Sequence, residues 1–247
     1  MFRGVTGVKL LELSSNLIET VEPDTFSELL DITIISLLNN RIKFLHSNTF
    51  KNNALLQQIK IAFNPILLPD YSFANLSKFK VVKMDSCGLQ SIPHHIFTGS
   101  VNLSEIQLSN NSLTTIPKTL FDGLDSLMKL DLSQNRLTSI PDEAFYNLRK
   151  LKELHLEKNE LTVLGADMFL GLENLQKLIL SRNKIARIEM MSFRDLLELR
   201  HFHLPHNRCV MVSDRITGVT ALGFCVKIDE VLCTIIKSRS YPKIILT

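Results

Sequence analysis

The sequence predicts an α/β solenoid, a thin horseshoe of about nine units with a parallel β-sheet on its concave side and a mostly irregular convex side. Three observations predict it. The pattern L-x-x-L-x-L-x-x-N-x-L recurs with a period of 24 residues, asparagine recurs at its ninth position, and phenylalanine recurs at position nineteen of the unit.

The units begin at Val8, Ile32, Leu56, Phe79, Leu103, Leu127, Leu151, Leu175 and Leu199. Their fourth and sixth positions, such as Leu130 with Leu132, alternate as a short strand does and point into the core. Each unit therefore supplies one parallel strand. The chain then turns away at an asparagine: Asn16, Asn40, Asn64, Asn111, Asn135, Asn159, Asn183 and Asn207, with Cys87 in the remaining unit. An amide at this place bonds the backbone of its own and the neighbouring coil, which would otherwise be buried unpaired.

The phenylalanine column runs through Phe26, Phe50, Phe97, Phe121, Phe145, Phe169 and Phe193, with Phe73 one place early because the third unit has 23 residues. Its rings are expected to stack beneath the convex side. Pro93, Pro117 and Pro141 follow the apolar residue of the fourteenth position and favour extended outer segments over long helices. Phe2 and Val5 fall in register with a preceding unit, so the solenoid assigned to residues 1–212 starts in the middle of a repeat. The period is lost from about Ser213, and residues 213–247 read as a non-repeat tail, either disordered or an atypical cap.

Composition narrows the classes of function. The net charge of +3 comes from 28 basic and 25 acidic residues that are mixed along the chain, which gives nucleic-acid binding no support. The longest apolar stretch, Ile216 to Val226, is about half of what a bilayer requires, so no transmembrane segment is expected. Glu12, Ser14, Ser15 and Asn16 interrupt any secretory signal at the amino terminus.

The 24-residue unit with its phenylalanine column resembles the "typical" class of extracellular leucine-rich-repeat proteins, the group that includes Toll and Toll-like receptor ectodomains, Slit, chaoptin and the small leucine-rich proteoglycans. The resemblance runs from about Phe2 to Val212. It implies a leucine-rich-repeat horseshoe outside the cell or at its surface, as part of a longer protein. Members commonly carry cysteine-rich caps, and here Cys209, Cys225 and Cys233 stand without the paired, Trp-containing motif of such a cap. Cys87 reads as a buried free thiol. The sequons at Asn75, Asn102 and Asn110 are candidates for N-glycosylation if the chain enters the secretory path.

Positions three, five, seven and eight are expected to point out of the concave sheet. Early units place Leu10, Ile34, Leu38, Ala62, Phe63 and Val81 there, an apolar patch on a face that should be wet. Later units place His155, Lys158, Lys177, Arg182, His201, His203 and His206, diluted by Asp131, Glu153 and Glu157. His201 and His203 share a face, but no cysteine or carboxylate completes a metal set, so they read as solvated histidines. No phosphate loop, H-E-x-x-H or G-x-S-x-G is present, and neither catalysis nor a cofactor is expected. The expected role is binding a protein or another macromolecule on the concave face. The rival roles are a structural or adhesive solenoid that self-associates through its uncapped ends, and a cytosolic scaffold.

Overall fold

The fold is described by a computed structural model covering residues 2–208, 211–213 and 245–246. Its strands in chain order are β1 (Leu10–Glu12), β2 (Ile34–Ser36), β3 (Gln58–Lys60), β4 (Val81–Lys83), β5 (Glu105–Gln107), β6 (Lys129–Asp131), β7 (Glu153–His155), β8 (Val163–Leu164), β9 (Lys177–Ile179), β10 (Arg187–Glu189), β11 (His201–His203), β12 (Met211–Ser213) and β13 (Ile245–Leu246). Ten form one parallel sheet in the order β1-β2-β3-β4-β5-β6-β7-β9-β11-β13. Leu130 pairs with Leu154 and Leu154 with Leu178, one repeat apart each time.

The core is the stack of fourth and sixth positions. Ile35, Ile59, Val82, Ile106, Leu130, Leu154 and Leu178 are all fully buried, as are Leu37, Ile61, Met84, Leu108 and Leu132. No single unit could shield these side chains, so stability resides in the contact between neighbours. The phenylalanines make a second column with ring centroids 5.8 Å apart for Phe26 and Phe50 and 5.9 Å for Phe121 and Phe145. Phe73 stays in the stack, 6.0 Å from Phe50 and 6.2 Å from Phe97, so the missing residue of the third unit is absorbed without breaking the column.

The asparagines bond as follows. Asn135 Nδ2 donates to Leu132 O in its own turn (3.1 Å) and to Leu108 O in the preceding one (3.0 Å), while its Oδ1 accepts the N–H of Leu113 (3.1 Å). The same set recurs at Asn40, Asn64, Asn159, Asn183 and Asn207. Asn111 Oδ1 accepts two N–H groups, from Cys87 and Leu89. Asn16 at the first turn is exposed and bonds only Leu13 O and Ser14 O of its own coil.

Cys87 is buried and its thiol is free. Its Sγ lies 3.4 Å from Ile61 O, replacing the donor of an asparagine but not the acceptor. Ile66 N–H turns instead to Asn64 O and Cys87 O. Burial pushes the thiol up to about 11, which leaves it protonated at neutral pH.

On the outer side, β12, β10 and β8 form a second, three-stranded parallel sheet. It lies in units whose fifteenth position is Gly165, Glu189 or Ser213, whereas Pro93, Pro117 and Pro141 hold that position in the units before it. Proline has no N–H to give to a ladder, so those outer segments are turns. Helix on this side is confined, among the described residues, to one 3-10 turn at Met190–Phe193. Two features bear on the region assigned to the tail. The period continues through β12, where Arg187 pairs with Met211, and β13 lies against β11, with His201 opposite Ile245. Cys209, Cys225, Cys233 and most of the 213–247 segment lie outside the described residues.

Candidate functional site: the concave face

The concave face is built from the third and fifth positions of each strand and from the turn that follows. All nine eighth positions, from Ser15 to His206, adopt a left-handed backbone with φ between 53° and 59°. This conformation lifts the eighth side chain off the sheet and lets the asparagine after it turn inward. After glycine, asparagine tolerates it best and bulky side chains poorly. Asn39 and Asn110 are therefore natural occupants, and Phe63 is not.

The early half is apolar on its rims. Leu10 is 57% exposed on β1, Phe63 is also 57% exposed, and Ile34, Leu38 and Val81 are half-buried. Ala62 departs from expectation: it is buried, as is Ser133 at the same position of a later unit. The chain has begun its inward turn by the seventh position, so small residues there tuck under their neighbours. The patch is thus Leu10, Ile34, Leu38, Phe63 and Val81 without Ala62.

Between those rims lies a pair that the reading of apolar residues passed over. Lys60 on β3 and Lys83 on β4 are direct partners in the parallel register, and both are half-buried. The signal was present in the fifth column, where lysine occurs in two successive units.

The later half is electrostatically compensated. Third positions alternate Glu105, Lys129, Glu153 and Lys177 across adjacent strands, with Lys129 3.8 Å from Glu105 and Lys177 4.0 Å from Glu153. His155 sits between Glu153 (3.3 Å) and Glu157 (3.8 Å). The carboxylate of Glu157, together with Asp131 and the hydrogen-bonded Glu153, holds the imidazole above its ordinary range, against its own burial. Glu153 is nearer, but its side chain is 41% exposed against 24% for Glu157, so water screens it more. Burial pushes Glu157 up, yet the nearby His155 and Lys177 outweigh it and leave this carboxyl below its usual range. Burial raises Asp85 despite hydrogen bonds from Ser109 N (2.9 Å) and Oγ (2.8 Å).

Lys158 and Arg182 stand exposed at left-handed eighth positions, His201 is exposed and His203 half-buried. The expected basic rim is therefore made by Lys158, Arg182 and His201, while His155 and Lys177 are engaged by carboxylates. Among the described residues, no three histidine, cysteine, aspartate or glutamate side chains converge to hold a metal ion, and no helix is long and apolar enough to cross a membrane. Asn75, Asn102 and Asn110 are all exposed. The amide Nδ2 of Asn102 donates to Ser77 O and that of Asn110 to Ser86 Oγ, each at 2.8 Å.

The fold has solved counterparts. A chain in the structure of the Drosophila Toll–Spatzle complex superposes with a TM-score of 0.81 and 35% identity, covering 86% of this chain and 28% of that one. A leucine-rich-repeat protein of Leptospira interrogans gives 0.70 at 27% identity, over 83% of this chain and 50% of that one. A probable glycoprotein hormone G-protein coupled receptor of Anthopleura elegantissima is 30% identical over 102 residues, which is 40% of this chain and 11% of the receptor. The chain therefore spans only a minor part of the length of the two receptor-type relatives. The leucine-rich repeat model matches residues 6–66, 77–137, 125–185 and 150–209, well over half of the sequence. On these repeats, the chain belongs to the leucine-rich repeat family, with repeats of the extracellular type.

Proposed function

We propose that the chain is a non-catalytic recognition segment of an extracellular receptor or matrix protein, and that it binds a protein ligand on the concave face around Phe63. One observation carries this reading: Phe63 presents a large apolar side chain to water from a left-handed backbone that disfavours it. A residue that costs stability and shields no core is explained by a contact made outside the fold. Toll in complex with Spatzle is a protein with the same repeat architecture held with a partner. The exposed sequons at Asn75, Asn102 and Asn110 fit a location outside the cell.

The test uses the chain as bait against a panel of purified secreted proteins and ectodomains. Binders are compared on wild type, Phe63→Ser and a convex-side control, Tyr146→Ser. Loss of an anchor of this kind lowers affinity by about 30-fold, roughly 2 kcal/mol. Equal binding by all three variants rejects the reading. Self-association as the sole interaction would favour the adhesive role.

A further inference from the structure

We infer that the Lys60–Lys83 pair is the specificity element of the concave face, and that it selects a protein segment in which acidic side chains are flanked by apolar ones. The inference rests on the proposed concave-face binding and adds the chemistry of the partner.

The two lysines are matched residues on adjacent parallel strands, one strand spacing of about 4.8 Å apart at the backbone. Like charges directly opposite across a sheet destabilise it. No direct ion pair compensates. No carboxylate among the described residues lies within 4 Å of either ammonium, whereas Lys43, Lys118, Lys129, Lys177 and Lys184 all have such partners.

The carboxylates close at hand bond other groups and none of them reaches the pair. Asp85, two residues beyond Lys83, accepts from Ser109 on the far side, away from the pair. Glu12, two strands from Lys60, accepts from Ser14 and is drawn to Lys60 only at a distance, the smallest of the influences on its carboxyl. The strands on either side of the pair offer the neutral Ser36 and Gln107 at the same level.

The surroundings decide what kind of anion fits. Ile34 and Val81 lie on the third-position rim on either side of Gln58, and Leu38 and Phe63 on the seventh- and eighth-position rim before Asp85 and Ser86, so apolar side chains flank the two charges on both rims. A sulfated sugar has little apolar surface to give these rims, and the repeated negative charges of such a sugar or of a nucleic acid backbone would run on into Glu105, Asp131, Glu153 and Glu157. A polypeptide with one or two carboxylates between bulky apolar residues satisfies both features: it neutralises the pair and covers the rims.

Two experiments test this. The first needs no ligand. Lys60→Gln or Lys83→Gln removes the mutual repulsion, so the denaturation midpoint rises, and the rise shrinks in high salt. A lowered midpoint means the lysines are satisfied within the fold and overturns the inference.

The second experiment exposes the chain to an array of 12-residue peptides, half with two acidic and half with two basic residues set among the same Leu and Phe positions. A heparin dodecasaccharide is measured alongside. Wild type is expected to retain the acidic set at least tenfold better than the basic one. Lys60→Gln/Lys83→Gln loses the preference, and Lys60→Glu/Lys83→Glu inverts it. No preference in wild type, a preference kept by the double Gln variant, or tighter binding of heparin than of the acidic peptides each overturns it. Phe63→Ser separates the two readings. If it weakens retention of both peptide sets while the lysine variants change nothing, concave-face binding stands and the acidic selection falls. If no variant has an effect, both fall.

Discussion

The side-chain Oδ1 of Asn135 accepts the backbone N–H of Leu113, twenty-two residues earlier in the chain, at 3.1 Å. With the two carbonyls bonded by the same amide, this one residue closes the backbone accounts of two turns inside a dry core. Asn135→Ala leaves a buried N–H and two carbonyls short of partners and is expected to cost about 1 to 3 kcal/mol. Chemical denaturation reads this as a lower midpoint. An unchanged midpoint would mean that water replaces the amide and that the column is not what joins the coils.

Phe63 makes the opposite prediction. Its φ of +59° suits asparagine, and its ring is 57% exposed. Phe63→Asn is therefore expected to hold or raise stability, by up to about 1 kcal/mol, because left-handed backbone penalises the larger side chain. A loss of more than about 1 kcal/mol in thermal or urea unfolding would show that the ring is packed into the fold and not held ready for a partner.

His155 gives a pH dependence of defined sign. The folded state holds its proton more tightly than the unfolded chain, so the contribution is complete below the ordinary histidine value of about 6.5 and fades as pH rises through the raised folded value. Glu157, held low, keeps its share until pH falls through its own lowered value. The pair is strongest between these limits. Removing it by His155→Gln is expected to cost about 0.5 to 1 kcal/mol near pH 5.5 and much less at pH 8. Equal costs at the two pH values, or a larger one at pH 8, would contradict the assignment of the charged histidine to these carboxylates.

The architecture was legible because its determinants repeat. Leu130, Asn135 and Phe145 each belong to a column, and a column is visible in a sequence even where one member, such as Cys87, departs from it. Features that depend on how the backbone bends were not visible in the same way. Ala62 faces inward because the alternation of the strand ends before it, where the chain turns in. The left-handed conformation under Phe63 had a trace in Asn39 and Asn110, residues that favour it, but only the whole set of nine turns makes it plain. Lys60 and Lys83 were legible individually; their meeting depends on the register of β3 and β4 across the 23-residue unit. The pairing of β13 with β11 had no trace in the period, since the pattern is gone before Ile245.

The central claim is that the concave face between β2 and β4 receives the ligand. Hydrogen-exchange mass spectrometry on the complex with a ligand obtained from the panel tests it most directly, because exchange reports where backbone becomes shielded. The account predicts slowed exchange in residues 34–39, 58–64 and 81–86, with the convex turns at 142–150 unchanged. Protection confined to the convex turns, with residues 58–64 exchanging as in the free chain, would contradict it.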